Sequence, residues 1–264
     1  MRSHNNFLPP LPPKPRNLVP LYTGICLIVL ILMINALELS FSSLALGITN
    51  TFEYLSRYIS PNFTNFPQYL MLMGQTLAIA FWGTFIAFSA SILLAPLAAK
   101  NLSPNPIAYR FAREILNFLR AMPDLILALL LVSVLRVGPL PGVLALGIHT
   151  TGFLGKFFAD SMERVNPGIY QGLVATGANF VQLIVFAAFP SMLSEVTGYT
   201  LYLFDRNIRM ATVLGLVGAG GIGLELQKNL RLFQYDSSAA LILIVLLTIV
   251  TIDYISVWLR GRLI

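Results

Sequence analysis

The stretch GLVGAGGIGLELQ, Gly215 to Gln227, contains Gly218-x-Gly220-x-x-Gly223, the spacing of a dinucleotide-binding turn. Such a turn needs a strand before the glycines, a helix after them and further strands behind. The segment ATVLGLV, Ala211 to Val217, has the composition of a strand. Only about thirty residues lie between Phe204 and Ser237, however, which leaves room for one isolated unit at most. The surroundings of this stretch therefore decide the fold class.

Those surroundings are apolar. The chain has 264 residues, of which 56% are hydrophobic and 11% charged, with a mean hydropathy of +0.77. A soluble domain carries about 25% charged residues. Leu18–Leu37, Gln68–Ala99, Val137–Gly155 and Ser237–Ile252 contain no charge at all. About 20 apolar residues cross a bilayer as a helix. Two further segments are less clean: Ala121–Leu135 is short, and Phe180–Phe204 is interrupted by Glu195. The expectation is an all-α integral membrane protein with about six transmembrane helices, beginning near Leu18, Gln68, Met122, Pro141, Phe180 and Ser237. The runs are continuous rather than alternating, which argues against a β-barrel. The first run is long, with an extended N-terminal flank and no small-x-small cleavage site after it, so it reads as a retained anchor.

This divides the chain into a Pro-rich tail (1–17), an N-terminal transmembrane anchor (18–39), an interfacial segment (40–67) and a transmembrane core (68–264) with a loop at 164–179. Lys and Arg are more frequent on one side: Arg2, Lys14 and Arg16 in the tail, Lys100, Arg110, Arg113 and Arg120 in one loop, Arg164 in another, and Arg260 and Arg262 at the end. Arg57, Arg136, Arg206, Arg209, Lys228 and Arg231 fall on the other side. The bias places both termini in the cytoplasm of a bacterial cell with a multi-pass inner (plasma) membrane protein. The net charge of +6 then reflects topology and not nucleic-acid binding. Leu44, Ile48, Phe52, Leu55 and Ile59 recur at helical spacing and predict an interfacial helix on the outer surface. Ile107, Phe111, Ile115 and Phe118 form a second apolar stripe, flanked by Arg110, Arg113 and Arg120, which predicts a cytoplasmic helix held by anionic membrane lipid.

No catalytic set emerges. The chain has two histidines, His4 and His149, and one cysteine, Cys26, so no metal cluster, bound cofactor or intrachain disulfide is expected. There is no G-x-x-x-x-G-K-[ST] loop, so ATP is not hydrolysed through such a motif here. Asp160 and Glu163 near Arg164 read as a solvated helix mouth, and Glu195 as the one acid within a span. The topology puts the glycine stretch outside the cytoplasm, where nucleotides are scarce. Gly218, Gly220, Gly221 and Gly223 instead suit turns and close backbone approach at a gate between helices.

The strongest local pattern is NPGIYQGLVATGANFVQLIVFAAFPSM, Asn166 to Met192. Pro167 and Gly168 break one helix, a short helix follows, Gly177 marks a turn, and Pro190 lies in the next span. Gly177 is six residues after Gln171, and Pro190 thirteen after Gly177. This resembles the E-A-A-x-x-x-G loop of permease subunits of bacterial ATP-binding-cassette (ABC) importers, with Gln171, Gly172 and Leu173 where Glu-Ala-Ala would stand. In that family the short helix docks on the ATPase subunit. The resemblance thus makes Gln171, Gly172, Leu173, Ala175, Thr176, Gly177, Ala178 and Pro190 the coupling residues. IHTTGFLGKFFADSMERVNPG (148–168), ATGAN (175–179) and LYLFDRNIRMATVLGLVGAGGIG (201–223) are similar to the phosphonate-importer permease, a type shared with phosphite importers.

The resemblance implies a type I ABC importer permease fold like that of the methionine importer. It also implies a homodimer with two ATPase subunits that hold ATP and Mg, and an extracytoplasmic binding protein that delivers phosphonate or a related phosphorus oxyanion. Six helices are few for a pathway with two gates, and a two-fold dimer would double them. Rival classes are a secondary transporter or channel for anions, which needs buried coupling acids, and a membrane enzyme, for which no residue set can be drawn. For the substrate path the sequence offers His149, Thr150 and Thr151 in one span. At the outer end of the next it offers Asn207 with Arg206 and Arg209, which share a helix face, Asp205 pairing with one of them. The competing account makes the arginines headgroup anchors and His149 a packing residue.

Overall fold

A computed structural model describes residues 18–37 and 41–263, and among these every regular element is a helix. The Pro-rich tail lies outside the described residues. The chain divides into two units, with the boundary after Ser56.

The first unit holds α1 (Val19–Ala36) and α2 (Phe41–Ser56). Pro20 at the start of α1 pre-sets φ where no backbone donor is needed. The 18 residues of α1 span about 27 Å at 1.5 Å per residue, close to the thickness of a hydrocarbon core. Apart from Tyr22, Thr23 and Asn35 its side chains are apolar, and they are exposed all round, as befits a helix whose solvent is lipid. Helix α2 covers the first part of the expected interfacial segment, with Phe52 and Leu55 exposed; the side chains of Leu44 and Ile48 are outside the described set.

The second unit holds α3 (Phe66–Ala98), α4 (Pro106–Ala121), α5 (Asp124–Leu135), α6 (Pro139–Arg164), α7 (Pro167–Ala175) and α8 (Phe180–Leu183). A π-helical turn (Ile184–Ala188), α9 (Phe189–Gly215), α10 (Gly221–Arg231) and α11 (Tyr235–Leu263) complete it. Pro190 lacks the N–H that would continue the α-ladder, and the π turn before it absorbs the mismatch. Helix α6 is the central rod. Lipid tails are as apolar as leucine, so helices associate here through close packing of small residues. A Cβ on Gly83 of α3 would lie 2.8 Å from that of Leu146, and one on Gly152 would lie 2.5 Å from the backbone nitrogen of Arg120 in α4. The helices therefore approach at backbone distance.

Among the described residues five helical segments are long and apolar enough to cross a membrane, or six if α4 and α5, bent by 85° at their junction, count as one broken span. The third span differs from expectation in this respect. The 12 residues of α5 reach about 18 Å, too short to cross alone. Pro123 causes the break, because the residue before a proline is pushed out of the helical region and Met122 has ψ 121°. Helix α9 also continues past Phe204 to Gly215. The charged run DRNIR ends the apolar count, yet its side chains find partners inside the bundle.

One set of partners joins three helices. The Asn207 amide donates to Thr84 Oγ1 at 2.9 Å and accepts from Thr150 Oγ1 at 3.0 Å. All three residues are buried, and Thr150 lies halfway along α6. This relay locks α3, α6 and α9 in register at mid-depth. Asn207→Leu should lower the thermal unfolding midpoint of the detergent-solubilised protein, since it strands the Thr150 hydroxyl at a cost of about 1–3 kcal/mol. Thr150→Val, which leaves the Asn207–Thr84 bond in place, should lower it less. Equal midpoints for Asn207→Leu and the parent would remove the relay's structural role.

Candidate pathway and coupling helix

Two residues of the relay were expected to line a path. Thr150 and Thr151 are buried, Thr150 donating to Asn207 and Thr151 to the carbonyl of Gly147 at 2.7 Å. Asn207 is fully buried. Thr150 and Asn207 fasten α6 to α9, the Thr151 hydroxyl bonds within its own helix, and all three polar groups are thus satisfied by protein partners.

The flanking residues point elsewhere. Arg206 is nine residues short of the end of α9, about 13 Å along the axis, so it lies at depth and not at the helix end. Its Nη2 meets His149 Nε2 at 3.2 Å and lies 3.8 Å from Asp124 Oδ2. Its guanidinium covers the ring of Phe153 at 5.2 Å, and Arg120 approaches the same ring at 5.7 Å. His149 Nδ1 faces the Met122 carbonyl oxygen at 2.9 Å, the carbonyl at the α4–α5 break. That contact needs the proton on Nδ1, so Nε2 accepts from Arg206 in the neutral ring. His149 is buried and positions Arg206 from behind.

Asp205 pairs with Arg209 at 2.6 Å. Tyr202, Arg206, Arg209 and Val213 share one face of α9, and all are exposed or half-exposed in the isolated chain.

Sequence reasoning missed Asp124 and misplaced Arg120. The signal for Asp124 was present: an acid directly after a proline inside an apolar run. Glu195, read as the one acid within a span, contacts Ser161 and Arg164 close to the far end of α6. The acids at mid-depth are Asp124 and Asp205. Asp160 and Glu163 do not form an open mouth: both hold Arg113, each at 2.9 Å, and Arg113 also donates to the Ala98 carbonyl. Arg113 thus ties α4 to α3 and α6, in place of the lipid contact expected of it.

The opening stretch forms a tertiary cap. Gly220 and Gly221 have φ of +82° and +70°, a region that glycine enters without steric cost. The first donors of α10 are already engaged: the Ile222 N–H donates to Thr76 Oγ1 at 2.9 Å and the Gly221 N–H to Gln75 Oε1 at 3.3 Å. A phosphate would need those donors. Gly218 accepts from the Gly138 N–H at 3.0 Å, and a Cβ on Gly223 would run into the Thr212 carbonyl. The four glycines thus join α9, α10, α3 and the α5–α6 turn at one end of the bundle.

At the opposite end, α7 stands apart. None of its residues is buried, and Ile169 and Val174 expose apolar surface. Asn166 caps it by accepting from the Gly168 N–H at 2.9 Å. Gly177, at φ +81°, ends it: the Gly177 N–H donates to Val174 and the Ala178 N–H to Leu173, the paired bonds of a Schellman cap. Gln171, Gly172, Ala175 and Thr176 are exposed, while Leu173 and Ala178 are half-buried. The Tyr170 hydroxyl donates to the Met162 carbonyl at 3.1 Å, and burial pushes its pKa above the ordinary phenol value.

A polar cluster thus lies at mid-depth in the helical bundle, and a free-standing helix stands at one end. Residues 87–264 match the family of binding-protein-dependent transport system inner membrane components, and the chain belongs to that family. It is 38% identical over 202 residues to the phosphite transport system permease protein PtxC of Stutzerimonas stutzeri, covering 76% of this chain and 74% of that protein. It is 37% identical over 233 residues to the phosphate-import permease protein PhnE of Mycolicibacterium smegmatis, covering 88% of this chain and 44% of that protein. Among solved structures, the inward-facing MetNI methionine ABC transporter superposes with a TM-score of 0.63 at 17% identity, over 74% of this chain and 95% of that one. The fold is that of type I ABC importer permeases.

No Cβ contact opposes a side chain at Gly177, so the constraint there is the backbone alone. Gly177→Val should lose transport while the protein still reaches the membrane, because a β-branched residue at positive φ costs roughly 1–2 kcal/mol or more. Gly177→Asn, which tolerates that region, should keep most of it. Equal uptake by both variants would show that the cap geometry does not matter.

Proposed function

We propose that the chain is the permease subunit of an ATP-driven importer for phosphonate or a related phosphorus oxyanion such as phosphite or a phosphate ester. Two copies form the pathway. Two separate ATPase subunits, carrying ATP and Mg, engage α7, and an extracytoplasmic binding protein delivers the substrate. Both termini then lie in the cytoplasm, and the glycine loops form the outer gate.

The observation that carries this reading is the α9 face bearing Arg206 and Arg209. A guanidinium at mid-depth is costly against lipid, so such a face turns toward a partner or a water-filled cavity. Facing a second copy across a two-fold axis, the four arginines ring a passage suited to an anion. The exposed α7 supports the ATPase partner, and the phosphite and phosphate named for the relatives support the substrate class.

Reconstitution with the ATPase and the binding protein tests it. Uptake of phosphite, methylphosphonate or phosphate should require ATP and all components. The paired variant Arg206→Gln/Arg209→Gln should lose uptake by tenfold or more, with the assembled complex still seen on gel filtration; unchanged uptake would sink the arginine ring. Asp124 and Asp205, buried at mid-depth, favour one rival, an ion-coupled carrier for anions. Uptake driven by a proton gradient through this chain alone would establish that rival instead.

A further inference from the structure

We propose that Asp124 is the resident counter-ion of Arg206, and that an incoming oxyanion takes the carboxylate's place on the guanidinium. The inference rests on the oxyanion pathway proposed above and assigns its seat.

The pair is close but not joined. A committed Arg–carboxylate bridge closes to about 2.7–2.9 Å, often through two parallel hydrogen bonds. Here Arg206 Nη2 lies 3.8 Å from Asp124 Oδ2 and leans toward His149 instead. Arg206 Nη1 and Asp124 Oδ2 are both buried and have no hydrogen-bond partner. The two side chains thus approach through Nη2 and Oδ2 yet each keeps a buried polar atom without a hydrogen bond, in a site where unpaired polar groups are expensive. The neighbouring Asp205–Arg209 pair, closed at 2.6 Å, shows that this helix forms a tight bridge where one is needed.

Charge and position agree. Arg120 and Arg206, both over the Phe153 ring, set against Asp124 leave one surplus positive charge there with the His149 ring neutral, while Asp205 and Arg209 cancel each other. A tetrahedral oxyanion supplies acceptors to Nη1 in a geometry that a single carboxylate held at 3.8 Å does not reach. The displaced carboxylate has somewhere to go. Its Oδ1 already accepts from the Leu125 N–H at 3.0 Å, at the N-terminus of α5, where the helix field favours an anion. The seat is then never an unpaired cation: carboxylate and substrate alternate on Arg206, which keeps substrate binding weak enough for release. The exchange also works or frees a contact between α5 and α9, at the break in the third span.

The experiment is calorimetric titration of phosphite into the nucleotide-free complex of this chain with its ATPase in lipid nanodiscs, binding protein omitted. Asp124→Asn removes the competing charge and should lower the Kd about tenfold or more, as expected when a hydrogen bond to a charged group no longer has a rival. Asp124→Glu keeps the charge and extends it by one methylene, closing the bridge, and should raise the Kd. Asp124→Asn/Arg206→Gln should bind no phosphite. A structural bridge predicts the opposite for Asp124→Asn, a weaker Kd with a less stable complex. A Kd for Asp124→Asn equal to or above the parent's overturns the inference. If that variant does not assemble, a Kd for Asp124→Glu at or below the parent's does so. Uptake that persists while neither parent nor variants bind phosphite also overturns it. If the parent complex takes up none of phosphite, methylphosphonate and phosphate, the substrate reading falls and the inference falls with it.

Discussion

An amide in hydrocarbon has no water to fall back on. Asn207 brings one to the middle of the bundle, and its oxygen and nitrogen are each answered by one hydroxyl, from Thr150 and Thr84. The rest of the architecture follows from that pairing. It fixes the rotation of α9 about its own axis, because Asn207 must face the seam between α3 and α6. Successive residues on a helix turn by about 100°. With Asn207 turned inward, Arg206 falls to the α5 side against His149 and Phe153, and Arg209 falls on the exposed face. The glycines of α3 and α6 make the seam tight enough for hydroxyls to reach the amide, so the packing and the polar relay depend on each other.

The glycine stretch shows how little a spacing says without its surroundings. In a dinucleotide fold the glycines free the helix-start donors for a phosphate. Here similar letters bring the helix start against α3, where Thr76 and Gln75 take those donors. Positive φ and absent side chains serve both outcomes; what differs is where the N–H groups go.

The spans were legible because lipid imposes a composition that four uncharged runs carry openly. The short helix α7 was legible because Pro167, Gly177 and Pro190 are punctuation with fixed backbone meaning. Other features were not. The start of the third span near Met122 was legible, but not that α5 has only 12 residues and meets α4 at an 85° bend set by Pro123. The end of α9 was misjudged because charges were counted as exits from the membrane when they were partners: Asp205 for Arg209, Asp124 for Arg206. Periodicity places residues on a face but does not say which face meets which helix. For that reason Thr150 and Thr151 look like pathway hydroxyls in the sequence, whereas in the fold Thr150 bonds Asn207 of α9 and Thr151 bonds the Gly147 carbonyl of its own helix. Asp124 could gain meaning only when α5 and α9 were brought together.

On the proposed reading, the mechanical problem is to carry a movement from α7 to Arg206, and the part of α6 between Arg164 and His149 alone covers about 22 Å. Helix α7 itself is thinly attached, so its link to the bundle matters. That link is the end of α6: Tyr170 donates to Met162, and Arg164, the last residue of α6, grips Glu195 of α9 alongside Ser161. From there α6 runs without a break to His149, whose ring holds Arg206. The glycine contacts that bring α4 against α6 lie between these points, and α4 ends at the bend that carries the Met122 carbonyl. On the proposed reading, a tilt of α6 driven at α7 moves His149 relative to that carbonyl. Arg206 is the one cation of α9 at this depth not closed in a tight bridge, and so the one most easily moved. A bridge at 2.6 Å, like that of Asp205 and Arg209, would resist the same displacement. The loose pair and the rigid rod are thus complementary, since one transmits force and the other supplies the bond weak enough to yield.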